Sequence, residues 1–342
     1  MKVAILGYSK SGKKTLFTLL SGRHIPAGRQ ENEVVEGNAL VKDPRVDAIA
    51  KIAKPQKIKY AENVFALCPD IVDGGSRSGW LESAKKADML CMVVRSFMSD
   101  SVYHPAGSVD PVRDRSSLHS EILLADLELV EKRLERMGKE KRGGQTPAQV
   151  IEERTLEKCK QAIEAEQYLS EVKLEEHELN SVRSLGLLTL KPLLWAYNVD
   201  ESGIDARSIN PFHISCKIEE EISEMKDPVE RKDFLASLGL DMPGVDRMNA
   251  AVYDMLGLMS FYTMGEDEVR AWTIMKGATA PQAAGKIHTD IERGFIRVAV
   301  IKYADLIQEG SESAVKQKGK QEQKGKDYII QDGDICHYLF NV

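Results

Sequence analysis

Residues 3–20, which read VAILGYSKSGKKTLFTLL, decide the fold at the start of the chain. Val3-Ala4-Ile5-Leu6 is a short apolar run that stops at Gly7, and residues 16–20 have a pattern typical of a helix. The segment Gly7–Lys13 between them matches GxxxxGK. In such a loop the glycines let the backbone wrap around phosphates, and the helix N-terminus adds positive charge. The sequence therefore predicts a strand, a phosphate-binding loop and a helix in succession.

The loop and the first turn of the helix supply the candidate nucleotide contacts. Lys13 stands where a lysine reaches the β- and γ-phosphates of a bound nucleotide. The next position normally carries a hydroxyl that binds Mg²⁺, but here it is Lys14, whose ammonium would repel the ion or neutralise phosphate itself. Thr15 points about 100° away on the helix and is a poor substitute. We therefore expect nucleotide binding without a secure Mg²⁺ site. The candidate contacts are Gly7, Ser9, Lys10, Ser11, Gly12, Lys13, Lys14 and Thr15.

Composition narrows the class of protein. The 342 residues are 42% hydrophobic and 29% charged, a globular balance with length for two or three domains. The net charge of −6 argues against a protein that coats nucleic acid along its whole surface, although it leaves room for a local basic patch. No window reaches the roughly 18 apolar residues of a membrane helix, and five scattered cysteines without a CxxC pair indicate neither a disulfide framework nor a zinc site. We expect a cytoplasmic monomer that binds neither DNA nor membrane.

The middle of the chain combines buried strands with a helical hairpin. Apolar runs at Met89–Phe97 and Leu193–Tyr197 are typical of strands in a parallel sheet with both faces covered. Between them, apolar residues spaced alternately four and three apart predict an amphipathic helix. Its stripe is Leu123, Leu127, Val130, Leu134 and Met137. Gly143-Gly144 breaks the pattern, and Leu156, Cys159 and Ile163 resume it. The fold class is therefore α/β with an inserted antiparallel helical hairpin, either a solvated spacer or a partner-binding arm.

The last third of the chain has short apolar segments separated by glycines, and this pattern predicts a small mixed α/β domain. Phe295–Ile301 and Tyr328–Ile330 have the composition of strands, with glycines at the turns between apolar segments. Lys316–Lys326 holds five lysines against one glutamate. This composition favours a solvated mobile loop, with an RNA-facing loop as the alternative.

Several further segments follow one another in an order that is specific to one family. They are Asp43–Asp47 (DPRVD), Asp88–Phe97 (DMLCMVVRSF), Val109–Pro111 (VDP), Lys191-Pro192, Asn198–Glu201 (NVDE), Ser215–Glu219 (SCKIE), Glu268–Thr273 (EVRAWT), Ala280–Gly285 (APQAAG), Ile287–Asp290 (IHTD), Gly294–Arg297 (GFIR), Gly325–Tyr328 (GKDY) and Gln331–Asp334 (QDGD). With them the chain closely resembles the YchF/Obg-like ATPase family of translation-factor-class P-loop proteins. The resemblance spans essentially the whole chain and is most specific in the C-terminal third.

The resemblance implies an architecture and a set of ligands. It implies a P-loop G domain with a mostly parallel sheet at 1–120 and 187–257, the helical hairpin at 121–186, and a TGS domain of ubiquitin-like β-grasp fold at 258–342. Family members bind ATP, often GTP more weakly, and associate with ribosomes. The expected ligands are therefore ATP or GTP, and the expected partner is the ribosome, through its RNA or its proteins.

The resemblance also implies roles for residues outside the phosphate loop. Asn198 and Glu201 match the base-reading segment, in which the family has Glu where ordinary GTPases have the Asp that selects guanine. Ser215, Cys216 and Lys217 match the last base-contacting loop. Asp70 matches the aspartate that contacts Mg²⁺ through water, and it is the one candidate metal residue. His104 matches a histidine suspected in hydrolysis and is the candidate catalytic residue. Taken alone, its sequence context favours an ordinary surface loop.

The departures from the family pattern all fall on the metal side of the phosphate loop. Besides Lys14, the segment Ile25–Glu33 lacks the threonine that would contact Mg²⁺ and the γ-phosphate. The Asp-x-x-Gly motif ends in Asp73, which adds a negative charge near the phosphates. Since phosphoryl transfer depends on positioning and electrostatics, these losses predict weakened or absent hydrolysis. Two alternatives stay open: a slow but functional ATPase, and a nucleotide-free scaffold that binds RNA or protein.

Overall fold

The computed structural model describes residues 1–26, 33–72, 74–75, 77–140 and 145–341. The chain divides into two compact units, each built from two stretches of sequence. The first unit is Met1–Ala39 with Val64–Met248, and the second is Leu40–Asn63 with Asn249–Val342. The domain limits inferred from the sequence stay a prediction.

The elements follow one another in the order expected of an α/β protein. The strands are β1 Lys2–Gly7, β2 Val35–Val41, β3 Lys57–Lys59, β4 Ala61–Leu67, β5 Met89–Arg95, β6 Leu193–Asn198, β7 Phe212–Ile214, β8 Leu258–Met264, β9 Glu268–Met275, β10 Phe295–Lys302, β11 Glu322–Lys324 and β12 Asp334–Phe340. The α-helices are α1 Lys13–Ser21, α2 Pro44–Ala53, α3 Ser78–Lys86, α4 Pro111–Glu140, α5 Pro147–Glu164, α6 Glu176–Val182, α7 Cys216–Glu224, α8 Pro228–Ser237, α9 Gly244–Met255, α10 Ala280–Ile287, α11 Thr289–Arg293, α12 Tyr303–Glu309 and α13 Glu312–Gln317.

The main sheet of the first unit has six strands in the order β2-β4-β1-β5-β6-β7. β1 runs parallel to β4 and β5, and β6 runs parallel to β5 and β7. All seven residues of β5 are buried, as an apolar strand covered on both faces requires. The predicted α/β fold class is confirmed, and the strands end where the candidate site residues begin.

The helical hairpin consists of α4 and α5. Its core contains the predicted stripe, with Val130, Leu156 and Cys159 fully buried and Leu127 and Leu134 packed against them. Arg133 Nε donates to Glu152 Oε1 over 2.7 Å and joins the two helices. Thr146 and Gln149 form a capping box at the start of α5. The predicted glycine break, Gly143-Gly144, lies outside the described residues.

The second unit contains a mixed sheet with the order β11-β10-β12-β8-β9-β3. β8 and β9 are an antiparallel hairpin, and β12 runs parallel to β8 in the middle. Helix α10 packs on one face through Ala280, Ala283 and Ala284. This arrangement is that of a β-grasp fold, as predicted. β3 extends the sheet by pairing in parallel with β9.

Two local predictions for the C-terminal third are wrong. Tyr328–Ile330 does not form a regular strand. Ile329 makes an isolated bridge with Thr279, and the two main-chain bonds of this bridge run from Ala280 N to Tyr328 O and from Ile330 N to Ala278 O. Lys316–Lys326 is not a mobile loop, since it contains the end of α13 and all of β11. Four of its lysines are paired with carboxylates, so the positive charge is largely neutralised locally. The pairs are Lys316–Glu312, Lys318–Glu309, Lys320–Asp305 and Lys324–Glu322.

Across the described residues, no helix is both long enough and apolar enough to span a membrane.

Candidate functional site

The phosphate loop is held in a conformation that two glycines make available. Gly7 has a φ of 146° and Gly12 has a φ of 93°, both in the region that favours glycine. A Cβ atom on Gly12 would lie 2.1 Å from Asn198 Nδ2, and one on Gly7 would lie 2.5 Å from Val93 O. The loop therefore packs directly against the ends of β5 and β6. Gly12 is also the N-cap of α1 and has no side chain that could occupy the helix N-terminus.

Asn198 connects the phosphate loop to the loop at the start of α7. Its Nδ2 donates to Ser11 O over 3.1 Å, and its Oδ1 accepts from Cys216 N over 3.0 Å. The Asn198 side chain is buried, so each of these bonds satisfies a group that is removed from water. Ser11 and Cys216 are also buried. Three loops that are far apart in the sequence thus meet on one amide side chain.

A cavity of about 890 Å³ opens beside these three loops. The predicted residues that line this cavity are Gly12, Thr15, Asn198, Glu201, Ser215, Cys216 and Lys217. Glu201 is exposed and begins a short 3-10 turn, and Lys217 is exposed at the first turn of α7. The volume of the cavity lies within the range of small-molecule binding sites. The structure therefore brings Gly12 and Thr15 of the phosphate loop together with the predicted base-reading residues around one cavity, whereas the other phosphate-loop candidates do not line it.

The opposite side of the loop is occupied by an ion pair. Lys13 is 3% exposed, and its Nζ donates to Asp70 Oδ1 and to Tyr8 O, the latter over 3.4 Å. Ile71 N donates to Gly7 O over 3.1 Å, which aligns the Asp70 segment with the loop. Burial lowers the pKa of Lys13 although Asp70 opposes this. Burial would raise the pKa of Asp70, but the charge and hydrogen bond of Lys13 outweigh it and lower that pKa.

The residues on this side do not fit a resident Mg²⁺ ion, which needs several oxygen ligands in octahedral geometry. Asp70 is engaged by Lys13 and by the Ser9 side chain. Lys14 is exposed, and Thr15 lines the cavity on the other side of the loop. No group of three or more His, Cys, Asp or Glu side chains in the described ranges could hold a metal ion. Asp73 and most of the Ile25–Glu33 segment, namely residues 27–32, lie outside those ranges.

Lys10 and Ser11 complete the loop in contrasting environments. Lys10 is exposed and has a φ of 60°, in the left-handed region. Ser11 is buried, and its Oγ has no hydrogen-bond partner among the described residues. A buried hydroxyl without a partner inside an anion-binding loop is a group that a bound ligand could satisfy.

His104 lies in the loop between β5 and α4, but its expected surface exposure is wrong because the ring is only 6% exposed. Its Nε2 pairs with Asp114 Oδ2 over 2.9 Å, and its Nδ1 accepts from Ala106 N over 3.2 Å. The ring borders a second cavity of about 380 Å³, which Tyr8 and Ser9 of the phosphate loop also line. Both ring nitrogens are therefore engaged within the protein.

Sequence reasoning missed three features of the site. Phe97, Met98 and Ser99 line the larger cavity, and Asp114 orients His104. Arg95 ends β5 with its guanidinium buried. An arginine at the end of an otherwise apolar strand was the available signal for the last of these.

Comparison with known proteins gives matches along the whole chain. A family model named YchF-GTPase_C, described as "Protein of unknown function (DUF933)", matches residues 258–341. The "Ribosome-binding ATPase YchF" of Haemophilus influenzae is 38% identical over 365 aligned residues, with 100% of this chain and 99% of the relative covered. The Bacillus subtilis protein of that name is 35% identical, with 100% of both chains covered. The solved YchF GTPase of Schizosaccharomyces pombe has a TM-score of 0.83 at 29% identity, covering 99% of this chain and 97% of the other.

Proposed function

This chain belongs to the YchF family, and we propose on that premise that it binds ATP, with GTP as a second ligand, and hydrolyses it weakly or not at all. The phosphates would lie on the Gly7–Lys13 loop and the base in the cavity of about 890 Å³. The relatives named ribosome-binding ATPases support ribosome association for this chain as well. The proposed setting is a cytoplasmic monomer.

Nucleotide binding rests mainly on Asn198. Its two hydrogen bonds hold the phosphate loop and the Cys216 loop together on one buried side chain, beside the cavity proposed for the base. Loops that are held by internal hydrogen bonds lose less conformational entropy when a ligand enters. The N-terminus of α1 and Lys13 supply the positive charge for the phosphates.

The choice of base rests on Glu201. An aspartate at this position accepts two hydrogen bonds from guanine, and a glutamate is one methylene longer and displaces that pair of acceptors. Losing matched acceptors weakens guanine selection and admits adenine. The Glu201 side chain borders the cavity, where this difference would be felt.

Weak hydrolysis rests on the metal side of the loop. Lys13 is paired with Asp70, Lys14 stands at the hydroxyl position, and His104 is engaged by Asp114 and Ala106. Lys13 and Lys14 can neutralise phosphate charge in the ground state, which favours binding. They do not supply an oriented base or water, which the transition state requires.

A turnover assay separates this proposal from a slow but functional ATPase. We expect wild-type protein to release little phosphate from ATP in Mg²⁺, and Lys14→Ser to raise the rate by about tenfold or more, because the hydroxyl restores a metal ligand. Lys232→Ser, on the exposed face of α8, is the matched control and should leave the rate unchanged. Steady wild-type turnover with no gain in Lys14→Ser would favour the functional ATPase.

Ribosome association is tested by co-sedimentation over a salt series, with and without ATP. An interface with rRNA phosphates should weaken steeply as salt rises, whereas an interface with ribosomal proteins should weaken less. Absence of co-sedimentation at low salt would contradict the proposed partner. Ribosome binding by a protein that shows no affinity for ATP, GTP or ADP would instead support the scaffold alternative.

A further inference from the structure

Arg95 is a buried cation whose hydrogen bonds, among the described residues, all go to main-chain oxygens. It is 2% exposed, at the last position of β5. Its Nε donates to Phe97 O over 3.3 Å, one terminal nitrogen donates to Val102 O and Tyr103 O over 3.0 and 3.3 Å, and the other donates to Ser99 O over 3.4 Å. The guanidinium also stacks over the Phe97 ring, 4.5 Å from its centroid. Four carbonyls of one loop therefore converge on one side chain.

This arrangement is unusual for a buried charge. An arginine stays protonated in proteins, and a buried charge is costly unless it is paired or fully hydrogen-bonded. Within the described ranges no carboxylate lies within ion-pair distance of Arg95, so carbonyl dipoles and the face of the Phe97 ring stabilise the cation. The loop must therefore curl around the guanidinium, and its conformation depends on the planar fork that arginine presents.

The curled loop contributes to both cavities of the phosphate-loop region. At its start, Phe97, Met98 and Ser99 form a wall of the cavity of about 890 Å³. Met98 N donates to Asp200 Oδ2 over 3.1 Å, beside the base-reading Glu201. At its end, the chain passes from Val102 and Tyr103 directly into His104, which borders the smaller cavity with Ser9.

We propose that Arg95 is a positioning residue that fixes the base-cavity wall at Phe97–Ser99 and the imidazole of His104 at once. The inference rests on the proposed nucleotide function only for the identity of the ligand in the larger cavity. Because one guanidinium bonds carbonyls at both ends of the loop, loss of its fork loosens both ends together. A residue with a purely structural role would lower stability without linking these two places.

The first experiment measures backbone amide hydrogen exchange on the full chain without nucleotide, in wild type and in Arg95→Lys. Lysine keeps the charge but concentrates its donors on one atom, which cannot serve four separated carbonyls. We expect the amides of Met98, Val102 and Ala106 to exchange about tenfold faster or more. Val130→Ala, in the core of the helical hairpin, is the control for general destabilisation and should leave these three amides unchanged.

A second variant keeps the inference testable if Arg95→Lys does not fold. Phe97→Leu retains the guanidinium and its carbonyl acceptors but removes the ring beneath it. We expect faster exchange at Val102 and Ala106 as well as at Met98, by about twofold to fivefold. Faster exchange confined to Met98 would overturn the inference, because the two ends of the loop would then be independent.

A third readout follows the site itself. We expect Arg95→Lys to weaken ATP binding by about tenfold and to move the ring resonances of His104, whereas Val130→Ala does neither. If wild type binds no nucleotide, the proposed function fails, but the exchange test of Arg95 still stands. If wild type binds ATP and Arg95→Lys changes neither the affinity nor the His104 resonances, the inference is overturned.

Discussion

The two sides of the phosphate loop differ in what lies beside them: a cavity on the base side and an ion pair on the metal side. On the base side, Asn198 joins the loop to Cys216 and leaves a cavity of about 890 Å³ beside them. On the metal side, Asp70 is bound to Lys13, the residue that should meet the phosphates. The base side is built around space for a ligand, whereas on the metal side Asp70 pairs with one of the two adjacent lysines, Lys13.

The contrast separates binding from chemistry. The base side is held by hydrogen bonds between neutral groups, which do not depend on the charges of the metal side, so affinity can be retained there. Catalysis of phosphoryl transfer needs oriented charges on the metal side, and these are the groups that are replaced or already paired. The contrast agrees with the proposal that this chain keeps a nucleotide site while its hydrolysis is weakened.

The largest expected effect is on the base side, at Gly12. Gly12→Ala places a Cβ 2.1 Å from Asn198 Nδ2 at a φ of 93°, so either the loop or Asn198 must move. We expect ATP binding to fall by about a hundredfold or more, measured by calorimetric titration. Gly22→Ala, at a φ of 64° with nothing within 4 Å, has the backbone strain without the clash and should cost only about 1 kcal/mol of stability. Near-normal ATP affinity in Gly12→Ala would contradict the claim that the contact between Gly12 and Asn198 is needed for nucleotide binding.

The next effect is expected at Asn198. Asn198→Asp keeps an acceptor for Cys216 N but replaces the donor to Ser11 O with a carboxylate oxygen. The lost bond and the buried charge should lower the free energy of unfolding by about 2–3 kcal/mol and weaken ATP binding, as measured by denaturant titration and calorimetry. Asn180→Asp, at an exposed position, makes the same chemical change elsewhere and should be neutral. Equal stability of the two variants would contradict the claim that Asn198 connects the phosphate loop to the Cys216 loop.

On the metal side we expect a substitution to strengthen ATP binding, whereas the two base-side substitutions weaken it. Asp70→Asn removes a negative charge from the phosphate site and releases Lys13 from its partner. We expect ATP to bind about threefold to tenfold more tightly in the absence of Mg²⁺, measured by titration in EDTA. Weaker Mg²⁺-free binding in this variant would mean that Asp70 helps to form the phosphate site.

The smallest effect is expected in the pH dependence of stability. Lys13 lowers the pKa of Asp70 despite the opposing effect of burial, so the ion pair stabilises the folded state at pH values above the ordinary aspartate pKa of about 4. That contribution is lost as the pH falls through the lowered pKa, because protonated Asp70 no longer pairs. Since the Asp70 side chain is 33% exposed, the wild-type advantage over Asp70→Asn should be below about 1 kcal/mol at neutral pH. Denaturant titrations of both proteins between pH 7 and about 3 would measure it. A difference that grew towards low pH would contradict this account.

The sequence predicted those parts of the fold that are encoded locally. The strand, loop and helix around Gly7–Lys13 and the hairpin stripe through Val130 follow from apolar periodicity and glycine placement. The cavity residues Asn198 and Cys216 were found because short motifs match the family. The fold and the base side were therefore largely predictable.

The parts that sequence reasoning missed depend on contacts between distant residues. Asp70 lies 57 positions from Lys13, and nothing local indicates that the two side chains pair. His104 was expected at the surface because it lies in a loop, yet it is buried and pairs with Asp114 on α4. The lysines of Lys316–Lys326 suggested a mobile loop because their partners, such as Asp305 and Glu309, lie outside the segment.

Calorimetric titration of the full chain with ATP, in Mg²⁺ and in EDTA, tests the central claim most directly. Because Lys13, Lys14 and the N-terminus of α1 provide the positive charge and no resident Mg²⁺ fits beside Asp70, we predict micromolar binding that differs by less than about threefold between the two conditions. Binding that requires Mg²⁺, with affinity falling by about a hundredfold or more in EDTA, would contradict the account.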